Sequence, residues 1–349
     1  MRAITVSPGI AKSARLDDVP PPPLADGVIL VRTLALGVCG TDREIVSGEY
    51  GWAPPGAQRL VLGHESLGRV EEAPAGSGFA PGDLIVGIVR RPDPVPCPAC
   101  AAGEWDMCQN GRYVERGIKE RNGYGAEQFR IEPGFAVKLD PELGFFGVLV
   151  EPTSVVAKAW DHTERIGARS RAWKPRSLLV TGAGPIGLLA AMMGMQRGLD
   201  VHVLDHSATG TKPALVAALG GTYHTDLAAL DGFAPDIVME CTGAAALIRN
   251  VLGRTAPDGI VCLAGVTAPG QAFDFDIGAY NRTMVLNNAT VFGTVNANRH
   301  HYAMAAEALA QADPKWLARL ITRRVPVEQW EQALENRPDD VKVVIDFAA

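Results

Sequence analysis

Short apolar runs broken by glycine and proline mark the first part of the chain: GVILVRTLALGV (27–38), RLVLGHESLGRVEEA (59–73) and DLIVGIV (83–89), the last preceded by Pro81-Gly82-Asp83. Runs of this length, bounded by turn residues, predict strands. The pattern lapses from about 90 to 125. RPDPVPCPACAAGEWDMCQNG (91–111) is too poor in apolar residues to bury a core, and predicts a lobe held together by a ligand.

Near residue 175 the rhythm changes. SLLVTGAGPIGLLAAMMGMQRGLDVHVLD (177–205) reads as a buried strand, a glycine turn, an apolar helix and a second strand. APDIVMECTGA (234–244) and DGIVCLAGV (258–266) add two more apolar runs that end in small residues. Alternation of this kind predicts βαβ units and a parallel sheet covered on both faces. RHHYAMAAEALAQADPKWLARLIT (299–322) then reads as helical and VKVVIDF (341–347) as a strand. The fold class is α/β: a mostly β domain of residues 1–155 and 300–349, and a doubly wound parallel-sheet domain of residues 156–299.

Gly182-Ala183-Gly184-Pro185-Ile186-Gly187 matches G-x-G-x-x-G between a strand and a helix, with Asp205 eighteen residues after its last glycine. Gly182 suits the tight turn, Gly184 the close approach of a pyrophosphate, and Gly187 the packing of helix on sheet. Asp205 is placed to accept hydrogen bonds from the adenosine ribose, which favours NAD. His206 and, in the next loop, Lys212 are bases that can tolerate a 2′-phosphate, so NADP stays open.

Composition narrows the function classes. The 349 residues carry a net charge of −6, which argues against nucleic acid or an anionic membrane as the main partner. No apolar run reaches the roughly 18–20 residues of a membrane span, and the N-terminus lacks a secretory pattern. A cytoplasmic enzyme is expected. Three of the six cysteines, Cys97, Cys100 and Cys108, fall within twelve residues, which in a reducing compartment points to metal binding. Cys39-Gly40-Thr41-Asp42 and Gly63-His64-Glu65 each follow a strand-like run, and thiolate plus imidazole is a donor set that catalytic zinc favours.

The order Cys-Gly-Thr-Asp, Gly-His-Glu, cysteine lobe, acid before proline, then the glycine turn resembles the zinc-containing medium-chain alcohol dehydrogenases. Within them the chain is most similar to the glucose 1-dehydrogenases, on CGTDREIVSGEYG (39–51), LVLGHESLGRV (60–70), DMCQNGRYVERGIKERNGYGAE (106–127), LVEPTSVVAKAW (149–160) and VFGTVNAN (291–298). The resemblance implies a GroES-like catalytic domain beside the Rossmann domain, with the active site in the cleft between them. It puts Cys39 and His64 on a catalytic Zn²⁺, Glu65 beside it as an exchangeable ligand, and Glu151 where simple alcohol dehydrogenases carry a second cysteine. Thr41 would take the substrate proton; simple alcohol dehydrogenases end that relay at a histidine where this chain has Glu44, which leaves water, Glu65 or Glu44 to carry the proton out. Glu115, Glu151 and Asn296 would hold sugar hydroxyls, while Thr242 and Asn296 would join Pro185, Ile186 and the glycines around the cofactor. In the lobe, Cys97, Cys100 and Cys108 match three of four structural-zinc ligands. Pro94 stands where the first cysteine is expected, and Asp93 is the substitute donor.

The implied reaction is hydride transfer from C1 of an aldose, D-glucose first, to NAD or NADP, giving the lactone. Another zinc-dependent polyol or alcohol dehydrogenase is the alternative, and a non-catalytic nicotinamide-binding sensor is the alternative of another class. A homo-oligomer, dimer or tetramer, is expected, with AGVTAPG (264–270) to VFGTV (291–295) as the contact region. Asn298, His300 and His301 are expected either near the cofactor or as caps of the helix that follows them, the capping role being favoured for the two histidines.

Overall fold

The computed structural model describes residues 1–267, 270 and 274–348. The chain divides into two compact units: Met1–Ser154, Asn296–Gln311 and Ile321–Ala349 form the first, Val155–Val295 and Ala312–Leu320 the second. Val155, which falls in the second unit, and two longer stretches depart from the boundaries expected above. Residues 296–299 belong to the first unit, where Asn296 bonds Glu115. The predicted helical segment 299–322 breaks at Asp313-Pro314 into Arg299–Ala310 and Pro314–Leu320, since a proline ends the first helix's register. The second piece leaves for the other unit, where the Trp316 indole donates to the Leu215 carbonyl at 3.0 Å.

The first unit is built on a seven-stranded sheet. Its path runs Ala136–Lys138, Leu84–Gly87, Glu65–Glu72, Ile29–Val38, Lys342–Asp346 and Ile321–Pro326, with Gln128–Ile131 also pairing Ile29–Val38. Ile29–Val38 is central, and its inward residues Ile29, Val31, Leu36 and Val38 lie in one buried apolar cluster with Ile4, Ile85, Phe129, Val343 and Ile345. The apolar run 59–73 does not form one strand. It breaks at Gly63, whose φ of 91° turns the backbone between Leu60–Val61 and Glu65–Glu72. His64 sits in that break.

The second unit holds a six-stranded parallel sheet in the order Thr222–His224, Asp200–Leu204, Ser177–Thr181, Ile237–Glu240, Ile260–Leu263, Thr290–Gly293. Numbered along the sequence this is 3-2-1-4-5-6, the order of dinucleotide-binding sheets. The helix Pro185–Gln196 buries eight of its twelve residues, so it is apolar all round. Among the described residues, no helix is long and apolar enough to cross a membrane.

Candidate active site

The strand Ile29–Val38 delivers Cys39 to the N-terminus of the helix Gly40–Ser47. The Cys39 N–H donates to Asp42 Oδ2 at 2.8 Å, fixing the turn. The other oxygen of Asp42 lies 3.4 Å from His64 Nδ1, and both side chains are buried. Burial disfavours a charged imidazole, but the Asp42 carboxylate outweighs it and holds the His64 pKa well above the ordinary value. Asp42 thus orients one ring nitrogen and raises the basicity of the imidazole, as carboxylates do behind metal-bound histidines.

Glu65 opens the strand paired with Gly37. Its carboxylate fills the place of a side chain there: a Cβ built on Gly37 would lie 2.0 Å from Glu65 Oε2. Lys342, nearly inaccessible on the strand Lys342–Asp346, ion-pairs with Glu65 and donates to the Val38 carbonyl at 3.0 Å. A sulfur, an imidazole nitrogen and a carboxylate oxygen from Cys39, His64 and Glu65 lie within 4.8 Å of one another. This mixed donor set, with His64 and Glu65 buried and Cys39 half-buried, fits a zinc ion.

Glu151, on the first turn of Val150–Gly167, lies outside that 4.8 Å set but close enough to feel its charges. Burial pushes its carboxyl up to about 7; His64 opposes this and Glu65 adds to it. Thr41 is half-buried in the first turn after Cys39, and Glu44 is exposed one turn later.

Glu115 and Asn296, far apart in sequence, are brought together. Glu115 Oε1 accepts from Asn296 Nδ2 at 2.9 Å, and from Arg90 Nε and Nη2 at 3.1 and 3.0 Å. Asn296 adopts a left-handed φ of 62°, and its own Oδ1 accepts the Ala297 N–H. The Arg90 guanidinium lies 3.6 Å over the Tyr113 ring, and the exposed Tyr50 packs edge-on against Trp52. Asn298 caps the helix Arg299–Ala310 through His300, and His301 Nδ1 accepts the Asn298 N–H in return.

In the lobe the Cys97, Cys100 and Cys108 sulfurs also lie within 4.8 Å of one another. N–H groups of Cys100 and Gln109 point at Cys97 Sγ and bring that thiol down to about 6, while burial pushes Cys100 up to about 11. Asp93 is not in this set. Its Oδ1 accepts from Val95 N at 2.8 Å, and its Oδ2 from Asn110 Nδ2 at 2.9 Å and Arg112 Nε at 3.2 Å. The carboxylate expected as fourth ligand serves a turn instead.

In the second unit Gly182 has φ 92°, and a Cβ on Gly187 would come within 1.8 Å of the Gly182 carbonyl. A Cβ on Gly184 would meet only open space, so the turn leaves room over the helix N-terminus where an anion is stabilised. Pro185 and Ile186 begin that helix. Asp205 ties the next strand to the turn: its Oδ2 accepts the Ala183 N–H at 2.8 Å and its Oδ1 the Ser207 N–H at 2.9 Å. Lys212 Nζ reaches both oxygens, at 3.3 and 3.2 Å, while the His206 side chain is 92% exposed. The Thr242 methyl abuts Gly182. Under Thr242, the wholly buried Glu240 carboxylate accepts the N–H groups of Thr242 at 2.8 Å and Gly243 at 3.1 Å.

Four partners escaped sequence reasoning: Asp42, Lys342, Arg90 and Glu240. Only Asp42 had a local signal, a carboxylate three residues after a helix-capping position. The others depend on strand register or on buried backbone donors.

Residues 144–347 match the family model of the glucose dehydrogenase C-terminus, and residues 25–141 match the alcohol dehydrogenase GroES-like domain. Glucose 1-dehydrogenase 1 of Caldivirga maquilingensis is 39% identical, and glucose 1-dehydrogenase 2 of Vulcanisaeta moutnovskia 40%, each across 99% of both chains. The structure of Haloferax mediterranei glucose dehydrogenase in complex with NADP, Zn and gluconolactone matches with a TM-score of 0.92 at 31% identity, covering 100% of both chains. With the GroES-like domain, the parallel sheet in its 3-2-1-4-5-6 order and this end-to-end likeness in place, the chain belongs to the glucose dehydrogenase family of zinc-dependent medium-chain dehydrogenases.

Proposed function

We propose that this chain oxidises an aldose at C1, D-glucose before others, yielding the lactone and reduced NAD or NADP. The observation that carries this is one unit holding both the Cys39–His64–Glu65 donor cluster and the pair of buried Glu115 with half-buried Asn296, in a chain matched end to end by glucose dehydrogenases. Cys39 and His64 would hold zinc, with Glu65 and Glu151 as the two carboxylates available to it. When bound, zinc supplies a Lewis acid that lowers the pKa of the hydroxyl being oxidised, and the nicotinamide supplies the hydride acceptor. Thr41 takes the hydroxyl proton, since its own hydroxyl both accepts and donates, and the exposed Glu44 is the exit to water. Arg90 keeps Glu115 an acceptor for a sugar hydroxyl, while Asn296 offers an amide beside it. An analogue lacking those hydroxyls would leave the pair unsatisfied, which disfavours simple alcohols.

The cofactor lies on the Gly182–Gly187 turn, walled by Thr242. Lys212 offsets the charge of Asp205, so the site takes both NAD and NADP. The six cysteines stand free, in keeping with a reducing, cytoplasmic setting. The chain forms homo-oligomers through the edge strand Thr290–Gly293 and the helix Ile277–Leu286, none of whose described residues is buried. Of the contact region expected from sequence, Ala268 and Pro269 lie outside the described residues.

The deciding experiment measures metal content before and after mild chelation, with turnover of a panel of aldoses, polyols and simple alcohols using NAD and NADP. Metal-dependent glucose oxidation is expected. Bound metal without turnover of any sugar would overturn the assignment.

A further inference from the structure

Four consecutive prolines, Pro20–Pro23, join the strand Arg15–Asp18 to the short turn Leu24–Asp26. Proline has no N–H to give and holds an extended backbone, so such a run makes a stiff, apolar wall. It is clamped at its start, where the Val19 N–H donates to the Met1 carbonyl at 2.9 Å. This wall and residues of the strand Gln128–Ile131 line a cavity of about 480 Å³, a size usual for small-molecule sites. None of its lining residues belongs to the Cys39–His64–Glu65 cluster or to the Glu115–Asn296 pair.

The cavity is unbalanced in charge. Arg59, Arg116 and Arg130 line it, against Asp17 and Asp26. Asp17 is already shared by Arg15 at 2.7 Å and Arg59 at 3.2 Å. Arg116 is 2% exposed, and among the described residues no carboxylate pairs with it. It has three bonds, to the carbonyls of Asp26, Asn122 and Arg130 at 2.7–3.2 Å, for the five N–H groups of a guanidinium. Its Nε is without a partner. Glu132, whose charge it feels, is held by Arg91 at 2.9 Å and Arg121 at 2.6 Å. Burial, together with those two guanidiniums, brings Arg116 down to about 10. A positive charge so enclosed is costly unless an anion offsets it.

We propose that this cavity binds a small organic anion, its apolar ring against Pro20–Pro23 and its carboxylate or phosphate on the side of Arg116 and Arg130. The prolines give the ring a face without competing donors, and Val61 and Phe129 extend the apolar lining. A neutral ring would leave Arg116 uncompensated, and a bare inorganic anion would leave the proline wall wet. Binding makes and breaks no covalent bond. The site is independent of the sugar assignment, because it shares no residue with that chemistry.

The test titrates the full chain, saturated with NADP so that the dinucleotide turn is filled, with anilinonaphthalene sulfonate, an aromatic anion that fluoresces when bound. One saturable site is expected, displaced by benzoate or phenyl phosphate and not by the neutral benzyl alcohol; the stronger competitor identifies the head group. Asn122, exposed at the cavity, accepts the Val61 N–H through Oδ1 at 3.0 Å. Asn122→Asp keeps that acceptor, adds a negative charge and is expected to weaken dye binding about tenfold, while Asn122→Gln leaves it unchanged. Pro21→Asp, on the exposed wall, is expected to act like Asn122→Asp, and decides should the latter fail to fold. Displacement by benzyl alcohol as readily as by benzoate would reduce the site to an apolar hollow and overturn the proposal. Unchanged affinity in the two aspartate variants, or no saturable binding, would overturn it as well.

Discussion

Lys342 and Glu65 are an almost wholly inaccessible pair of opposite charges. Removing one member of such a pair leaves the other charge buried alone, at a cost of about 3–5 kcal/mol. Lys342→Met is therefore expected to lower stability by that order, and Glu65→Gln in the same chain to restore much of it; denaturant unfolding of the four variants of the cycle measures the coupling. Single-mutant losses that simply add would show that the pair is not coupled. Glu151 has the opposite character, since burial raises its carboxyl from 4.5 to about 7. A raised carboxyl favours the folded state fully below pH 4.5, and that contribution is lost as pH rises through 7. Metal-free protein should thus lose stability across this window, and Glu151→Gln should flatten the loss; unchanged pH dependence would contradict the burial argument. At the dinucleotide turn, Lys212 sits on Asp205 where a 2′-phosphate would arrive. Lys212→Ala should reduce kcat/KM with NADP about tenfold more than with NAD, a plausible size for one charge-assisted contact, and equal losses would place the phosphate elsewhere.

At the scale of elements, glycines report which backbones touch. Many dinucleotide turns accept alanine at the third glycine. Here a Cβ on Gly187 would stand 1.8 Å from the Gly182 carbonyl, so Gly187→Ala should weaken NADPH binding at least about tenfold, read by the fluorescence of the reduced cofactor. Wild-type affinity would mean that the turn yields cheaply. The same scale explains what was legible in the sequence. Cys39, His64 and the Gly182–Gly187 turn announce themselves because each belongs to a short run whose neighbours set its geometry. Lys342 gives no such sign: its role exists only because Val343 pairs with Val38 in the completed sheet. Arg90 likewise gains meaning from Glu115 opposite it in a two-strand register. Asp93 misled because proximity in sequence put it beside the cysteines, whereas the turn to Val95 claims its carboxylate.

At the scale of the whole molecule, the chain passes between its two units at residues 154, 295, 311 and 320. Among the described residues the second unit's sheet ends in the strand Thr290–Gly293, and in the helix that precedes it Val285 and Leu286 are each 65% exposed. Apolar surface next to an unpaired strand is an invitation to a second copy. Val285→Asp with Leu286→Asp should therefore reduce the mass in sedimentation to that of one chain while dinucleotide binding persists. A wild-type chain that already sediments alone, or a variant of unchanged mass, would dispose of this interface.

The hydrogen bond from Lys342 to Val38 spans 304 residues. At about 5–20 residues per second, a ribosome needs roughly 15–60 s to make that stretch. For that interval the nascent chain carries Cys39 and His64 without the strand that flanks them and the lysine that neutralises Glu65. All six parallel strands of the second unit, by contrast, are synthesised before residue 294. Birth order thus makes the dinucleotide sheet the early product and the metal cluster the late one. A chain that stops short of residue 342 therefore carries all three donors of the Cys39–His64–Glu65 cluster but leaves the Glu65 charge without its buried partner.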